Sequence, residues 1–135
     1  LRAASAVLKP GGYLFVSVPN LAGWGFGAFG TAWFPLDLPR HLLHFTPDTL
    51  RRVVADSGLI VEAVKTRGHV KWMGYSADRA ARFRPRLWAT ATRRVRLVRS
   101  ALTTVAEWRD RGDDLCLLAR KPAAGVSELP IRRAA

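Results

Sequence analysis

The chain has 135 residues, a single cysteine and a formal net charge of +12. This length suffices for one domain with a sizeable core, and a lone Cys116 excludes an internal disulfide and a cysteine-based metal site. No apolar run approaches the about 20 residues of a membrane-spanning helix, and no secretion signal is visible. We therefore expect a cytoplasmic protein.

The first segment predicts a helix end, a tight turn and a strand. Leu1 already lies in a helical pattern, so we expect the sequence to start inside a domain. Pro10 and the glycines at 11–12 end the helix and reverse the chain. Residues 13–18 are aromatic and β-branched with little polarity, which predicts a strand buried on both faces.

Residues 21–35 are glycine-rich and aromatic, and we interpret them as a loop. Such a loop either forms a lid over an apolar acceptor pocket or packs onto the domain. Residues 25–30 match G-x-G-x-x-G by letter. We reject a dinucleotide site there, because the match does not directly follow the strand and no amphipathic helix grows from it.

The next helix begins with clear signals and leads into a second strand. Thr46 can cap it, Pro47 suits its first position and Asp48 suits the positive end of its dipole. The helix is expected to end at Gly58, and the alternation over 60–66 predicts a strand.

The remaining sequence predicts four further segments. Residues 68–76 are expected to form a loop, and a three- and four-residue apolar spacing predicts a long helix over 77–108. Pro85 marks a break near its beginning. A last strand follows at 114–121, and residues 122–135 are expected to be a disordered tail.

Residues 33–45, WFPLDLPRHLLHF, hold an acid, a guanidinium and two imidazoles within eight positions. His41 and His44 suit a general base or a group that orients a substrate. Asp37 can orient a histidine or accept from a substrate hydroxyl, and Arg40 can bind an anionic group. Two other interpretations stay open: Asp37 and Arg40 pair only to fix the loop, and His44 bonds only to backbone groups.

Two segments together carry a resemblance to a known family. Residues 7–20, VLKPGGYLFVSVPN, and the motif DLPRHLLHF resemble the C-terminal half of class I, Rossmann-like S-adenosylmethionine-dependent methyltransferases, in their small-molecule and lipid-type group. The resemblance is close over residues 1–66 and loose over 113–121. It implies an α/β fold of about three strands flanked by helices, in which the last two strands form an antiparallel pair and the final strand inserts between the others.

The resemblance also implies how the chain is organised and what it binds. Residues 1–121 would be the acceptor-side part of a methyltransferase domain, with a helical insertion at about 77–109. The cofactor would be S-adenosyl-L-methionine, but its glycine-rich loop and ribose-binding acid are absent from the sequence. We therefore expect the chain to be inactive alone. His41 and His44 would be catalytic, and Asp37, Arg40, Trp33 and Phe34 would bind the substrate; no metal site is expected. Asn20, at the carboxyl end of the first strand, either contacts the cofactor or is only a turn residue.

The expected partner is a small-molecule or lipid-like acceptor, which the sequence does not identify. The alternative is a basic module that binds nucleic acid or an anionic membrane through residues 82–111. The excess of arginine favours such contacts, yet it is equally typical of a solvated helix face, which we rank first. We do not expect nucleic acid, whereas peripheral membrane contact stays open.

Overall fold

The computed structural model describes residues 1–83 and 95–123. It is a mixed α/β structure in which an open, three-stranded antiparallel sheet is flanked by helices. The helices are α1 (Arg2–Val7), α2 (Trp24–Phe29), α3 (Pro47–Ala55), α4 (Val70–Phe83) and α5 (Arg96–Trp108), and the strands are β1 (Tyr13–Pro19), β2 (Ile60–Arg67) and β3 (Asp114–Arg120).

β3 lies in the middle of the sheet and runs antiparallel to both neighbours. Leu117 pairs with Val16 of β1 on one side and with Val64 of β2 on the other. This confirms the predicted insertion of the last strand and the antiparallel pair it forms with β2. Among the described strands, β1 has no neighbour along its outer edge.

One face of the sheet is covered by α3. Side chains of α3, β3 and the start of β2 meet there and are almost completely buried. We call this group the sheet core; its residues are Leu50, Val54, Leu59, Leu115, Leu117 and Ala119. The predicted start of α3 is confirmed, because the Thr46 hydroxyl accepts from the backbone N–H of Thr49 and Thr49 reciprocates.

The opposite face of the sheet is open in the part of the chain that the structure describes. Side chains of β1 alternate: Leu14 and Val16 contact the sheet core, whereas Tyr13 and Phe15 are exposed on the other side together with Leu118 of β3. The prediction that β1 is buried on both faces is therefore wrong here. Its apolar run was compatible with two-sided burial, but only one face has a covering layer.

A second cluster joins the segment after β1 to the helices after β2. We call it the helical core: Phe29, Trp33, Met73 and Ala77, with Leu102 of α5 packed against them. The prediction of a loop over 21–35 is wrong, because α2 and two single 3-10 turns, Gly30–Ala32 and Phe34–Leu36, occupy it. Burial of the aromatic side chains overrides the low helix propensity of the glycines.

The predicted loop over 68–76 is also wrong, since α4 already begins at Val70. Met73, Ser76 and Ala77 are buried and spaced by three and four, so the helical pattern starts earlier than the predicted residue 77. The predicted helix over 77–108 is confirmed at its two ends by α4 and α5. Residues 84–94, including Pro85, and the predicted tail from residue 124 lie outside the described residues.

Lys121 connects the chain before β1 with the chain after β3. Its ammonium group donates to the carbonyl oxygens of Ser5 and Leu8, each at 2.8 Å. Its backbone N–H donates to Gly12 at 2.8 Å, and Gly11 donates back to its carbonyl at 3.0 Å. Gly11 has φ +78°, a left-handed conformation that favours glycine.

Candidate functional site

The motif DLPRHLLHF ends beside the carboxyl end of β1. Asn20 and Phe45 form a parallel β-bridge, and the N–H of Leu21 donates to the carbonyl of Phe45 at 2.8 Å. The chain thus brings the motif to the edge of the sheet where β1 ends and β3 begins. In open α/β sheets, ligands bind outside the carboxyl ends of strands.

The loop has a defined backbone shape. Pro35 and its neighbours form the 3-10 turn Phe34–Leu36, Asp37 follows with φ +36°, and the Leu38–Pro39 peptide is cis. The N–H of His41 then donates to the carbonyl of Asp37 at 3.1 Å. These contacts fold the loop back on itself, so that both histidines face the carbonyl groups of the 3-10 turn.

His41 has one ring nitrogen committed and one uncommitted. Its Nδ1 lies 2.9 Å from the carbonyl oxygen of Pro35. A carbonyl only accepts, so Nδ1 carries the proton and donates it. In the neutral ring, Nε2 then keeps its lone pair, and it has no hydrogen-bond partner among the described residues. This is the tautomer that a general base requires.

His44 is held in the same way, but with the roles of its two ring nitrogens exchanged. Its Nε2 donates to the carbonyl of Leu36 at 3.0 Å, which leaves Nδ1 as the acceptor of the neutral ring. The two imidazole centroids are 6.5 Å apart, with the rings nearly perpendicular. The backbone contact considered for His44 therefore exists, and it leaves the second nitrogen able to accept a proton.

Asp37 and Arg40 pair within the loop, as one of the two interpretations expected. The guanidinium Nη1 lies 3.4 Å from Asp37 Oδ2. The Arg40 side chain is 82% exposed, so the pair stabilises the loop by less than about 1 kcal/mol. Because the pair is open to solvent, the guanidinium also remains accessible to an anionic group.

Trp33 and Phe34 lie in different surroundings. Trp33 is 1% exposed, and its indole N–H donates to Asp113 Oδ1 at 3.2 Å. Phe34 packs against Tyr75 with a centroid distance of 4.8 Å, and the Arg79 guanidinium carbon lies 4.9 Å from its ring centroid. Substrate contact by either residue stays a prediction, and Phe34 is the more accessible of the two.

Asp113 is buried beneath α2. Burial raises the pKa of its carboxyl group, although hydrogen bonds from Trp33 and from the backbone N–H of Gly25 oppose that shift. A Cβ on Gly25 would overlap the Asp113 carboxylate and lie 2.7 Å from Trp33 Nε1. The glycine is therefore required for α2 to approach the end of the sheet.

Three exposed leucines of the motif were not singled out from the sequence. Leu38, Leu42 and Leu43 are 63%, 77% and 74% exposed and flank His41 along the chain. Exposed apolar side chains that adjoin titratable groups are typical of binding surfaces. In the sequence, the adjacent Leu42 and Leu43 between the two histidines already indicated an apolar surface there.

A second polar cluster lies on the open face of the sheet. Asp114 Oδ2 accepts from Ser17 Oγ at 2.8 Å and lies 3.6 Å from His69 Nε2 and 3.8 Å from Cys116 Sγ. His69 also stacks on Trp72 at 3.9 Å between centroids. His69, in the connection between β2 and α4, therefore contacts both the sheet and the first turn of α4.

Cys116 lies within this cluster rather than in the core. Burial raises the pKa of its thiol, and the charge of Asp114 raises it further. The thiol is consequently protonated at neutral pH and a poor nucleophile. Within residues 1–83 and 95–123, no group of three or more His, Cys, Asp or Glu side chains is arranged to hold a metal ion.

The described residues do not fit S-adenosylmethionine by themselves. Asn20 is the only predicted cofactor contact, and its side chain is fully buried. Its Nδ2 donates to Gly112 at 2.8 Å and its Oδ1 accepts from Ala22 at 3.0 Å. Both ends of the amide are thus engaged by backbone groups, and the buried Asn20 side chain is not accessible to a ligand from the surface described here.

Comparison with protein-family models gives no match for this chain, and comparison with curated proteins gives none either. In the part of the chain that the structure describes, no helix has the length and apolar character needed to cross a membrane. The function is consequently inferred from the residues and their geometry.

Proposed function

We propose that the chain is the acceptor-side part of an S-adenosylmethionine-dependent methyltransferase that acts on a small-molecule or lipid-like acceptor. The observation that carries the proposal is His41: its Nδ1 is held by the Pro35 carbonyl, and its Nε2 is left as a base. The loop that carries His41 reaches the end of β1 at Phe45. The sequence resemblance over residues 1–66 supplies the reaction class.

The sheet supports this proposal in two ways. The strand order, with β3 between β1 and β2 and antiparallel to both, is the arrangement that the resemblance implies. The open face also bears Tyr13, Phe15 and Leu118, and the outer edge of β1 has no strand partner among the described residues. These are the surfaces on which a cofactor-binding part would pack.

In the proposed reaction, this chain handles the acceptor. His41 Nε2 takes the proton from a hydroxyl or amine of the acceptor, which becomes the nucleophile. His44 lies close enough to orient the same group or to relay the proton. Arg40 would attract an anionic group, and the exposed leucines would hold an apolar tail. The cofactor supplies the methyl group and is bound by residues other than those described here.

The central test replaces His41 in an enzyme that includes this chain and its cofactor-binding part. His41→Ala should lower kcat by roughly 10²- to 10⁴-fold, which is the usual contribution of a general base. His69→Ala is the matched control, since it removes the remaining histidine outside the motif and should leave kcat nearly unchanged.

Two results would contradict the proposal at different levels. Unchanged turnover in a folded His41→Ala variant removes His41 from the mechanism. Absence of any methyl transfer by the intact wild-type enzyme, over a panel of hydroxyl and amine acceptors with and without apolar tails, rejects the reaction class.

In an active enzyme, Leu42→Ser should raise KM for acceptors with an apolar tail and leave KM for short polar acceptors unaffected.

The alternative of a basic module over 82–111 stays a prediction. Residues 84–94 of that stretch lie outside the described residues, and the nucleic-acid interaction has no specific geometric support in the rest.

A further inference from the structure

Helix α5 turns its most apolar side away from the protein. Leu97 and Trp108 are 80% and 79% exposed, and Val105 is 48% exposed. The side that faces the helical core instead carries Leu102, Thr103 and Ala106. This reverses the usual amphipathic arrangement, in which the apolar side of a surface helix faces the core.

The exposed apolar residues form one continuous strip. Successive helical residues are rotated by about 100°, so Leu97, Ala101, Val105 and Trp108 fall within a sector of about 80°. We call these four residues the α5 stripe. Val98 borders it and is also exposed. Such a strip is too regular and too apolar for an ordinary solvated helix face.

Positive charge lies at both ends of the stripe. Arg96 precedes it, while Arg109 and Arg111 follow it, and all three are exposed. Glu107 and Asp110 are exposed in the same region, so these five exposed groups carry a net charge of +1. The whole chain adds a net charge of +12, which attracts an anionic surface over a longer range.

We propose that the α5 stripe binds the surface of an anionic lipid bilayer, with α5 lying in the plane of the interface. Leucine and tryptophan on one side of a helix, with arginines beside them, is the chemistry of an interfacial helix. The apolar side chains would enter the region between head groups and acyl chains, and the arginines would contact lipid phosphates. This binding does not depend on the proposed methyl transfer.

The test uses the 135-residue chain and sedimentation with lipid vesicles. Vesicles of equal parts phosphatidylglycerol and phosphatidylcholine should bind the protein, and vesicles of phosphatidylcholine alone should bind it much less. The double variant Leu97→Ser/Trp108→Ser should bind the anionic vesicles about tenfold more weakly or worse, because the inserted apolar area is lost. Circular dichroism should show an unchanged fold, since both side chains are exposed.

Two further variants distinguish insertion of the α5 stripe from nonspecific apolar adsorption and from electrostatic attraction. Val7→Ser, on α1, removes an apolar side chain that is 85% exposed and should leave vesicle binding unchanged. Arg96→Gln/Arg109→Gln/Arg111→Gln should weaken binding about fivefold per arginine and should flatten its dependence on salt.

Any of four outcomes would overturn the proposal. The first is that the wild type does not bind anionic vesicles, and the second is that Val7→Ser loses as much vesicle binding as the stripe variant. The third is that light scattering shows a wild-type dimer, which the stripe variant converts to a monomer. The fourth is that the wild type binds duplex DNA more tightly than vesicles and that the stripe variant loses this binding too. The third would assign the stripe to a second copy of this chain, and the fourth would assign the surface to nucleic acid.

Discussion

The sheet core and the helical core are built in different ways. The sheet core is made of aliphatic side chains that lie, except for Leu59, on α3 and β3, where helix or strand periodicity directs them inward. The helical core combines aromatic residues and Met73 with a buried carboxylate, Asp113, and with a glycine that a methyl group would disturb. The first depends on buried apolar volume alone, whereas the second also depends on particular polar and close contacts.

The largest expected loss of stability comes from a substitution in the sheet core. Leu117 is fully buried at the centre of β3, so Leu117→Ala should lower the free energy of unfolding by about 3 kcal/mol through lost burial and the cavity left behind. Urea denaturation followed by circular dichroism measures it. Leu118→Ala is the control from the next position, on the open face, and should cost less than about 1 kcal/mol. Equal costs would show that the open face is covered in solution.

A smaller effect is expected when the close approach of α2 to Asp113 is disturbed. Gly25→Ala places a methyl group against the Asp113 carboxylate and Trp33 and should cost about 1–3 kcal/mol. Gly27→Ala, two residues along the same helix, meets no atom within 4 Å. It should instead stabilise α2 by up to about 1 kcal/mol. If both variants shift the urea midpoint in the same direction, the contact between α2 and Asp113 is not present.

The smallest effect concerns the charge of Asp113. Burial raises the pKa of this carboxyl group in the folded state, so the native state retains the proton more tightly than the unfolded chain. Stability contributed by this group is therefore full at low pH and is lost as the pH rises from about 4 through the raised pKa. Above that range, the ionised carboxylate continues to destabilise the fold by a constant amount.

Asp113→Asn keeps an oxygen acceptor for Trp33 and removes the charge. The difference in Tm between the variant and the wild type should grow in favour of the variant as the pH is raised from 4 to neutrality. Asp56→Asn alters an exposed carboxylate at the end of α3 and should follow the wild-type curve. A parallel pH dependence for Asp113→Asn and the wild type would contradict the buried charge.

The sequence predicted what regular patterns encode. Thr46, Pro47 and the alternation after Gly58 were enough to locate α3 and β2, because caps and period-two burial act locally. The start of α4 was predicted too late in the chain. Gly74 of this helix packs beside Arg99 of α5. That contact joins two helices far apart in the chain, and no local pattern reveals it.

The candidate site was predictable in position but not in detail. The clustering of Asp37, Arg40, His41 and His44 followed from their spacing alone. The protonated nitrogen of each histidine depends on carbonyls of the 3-10 turn, which is set by backbone geometry that the residue types do not specify. The partnership of Asp114 with His69 joins β3 to the start of α4, and it likewise required the fold.

The ammonium group of Lys121 satisfies carbonyl oxygens at the end of α1, more than a hundred positions earlier in the chain. Carbonyls at a helix end otherwise depend on water. Acetylation of that one amine would remove the charge and most of its donors, so α1 would fray while the strands stayed paired. A modification next to β3 would thus loosen a helix that precedes β1.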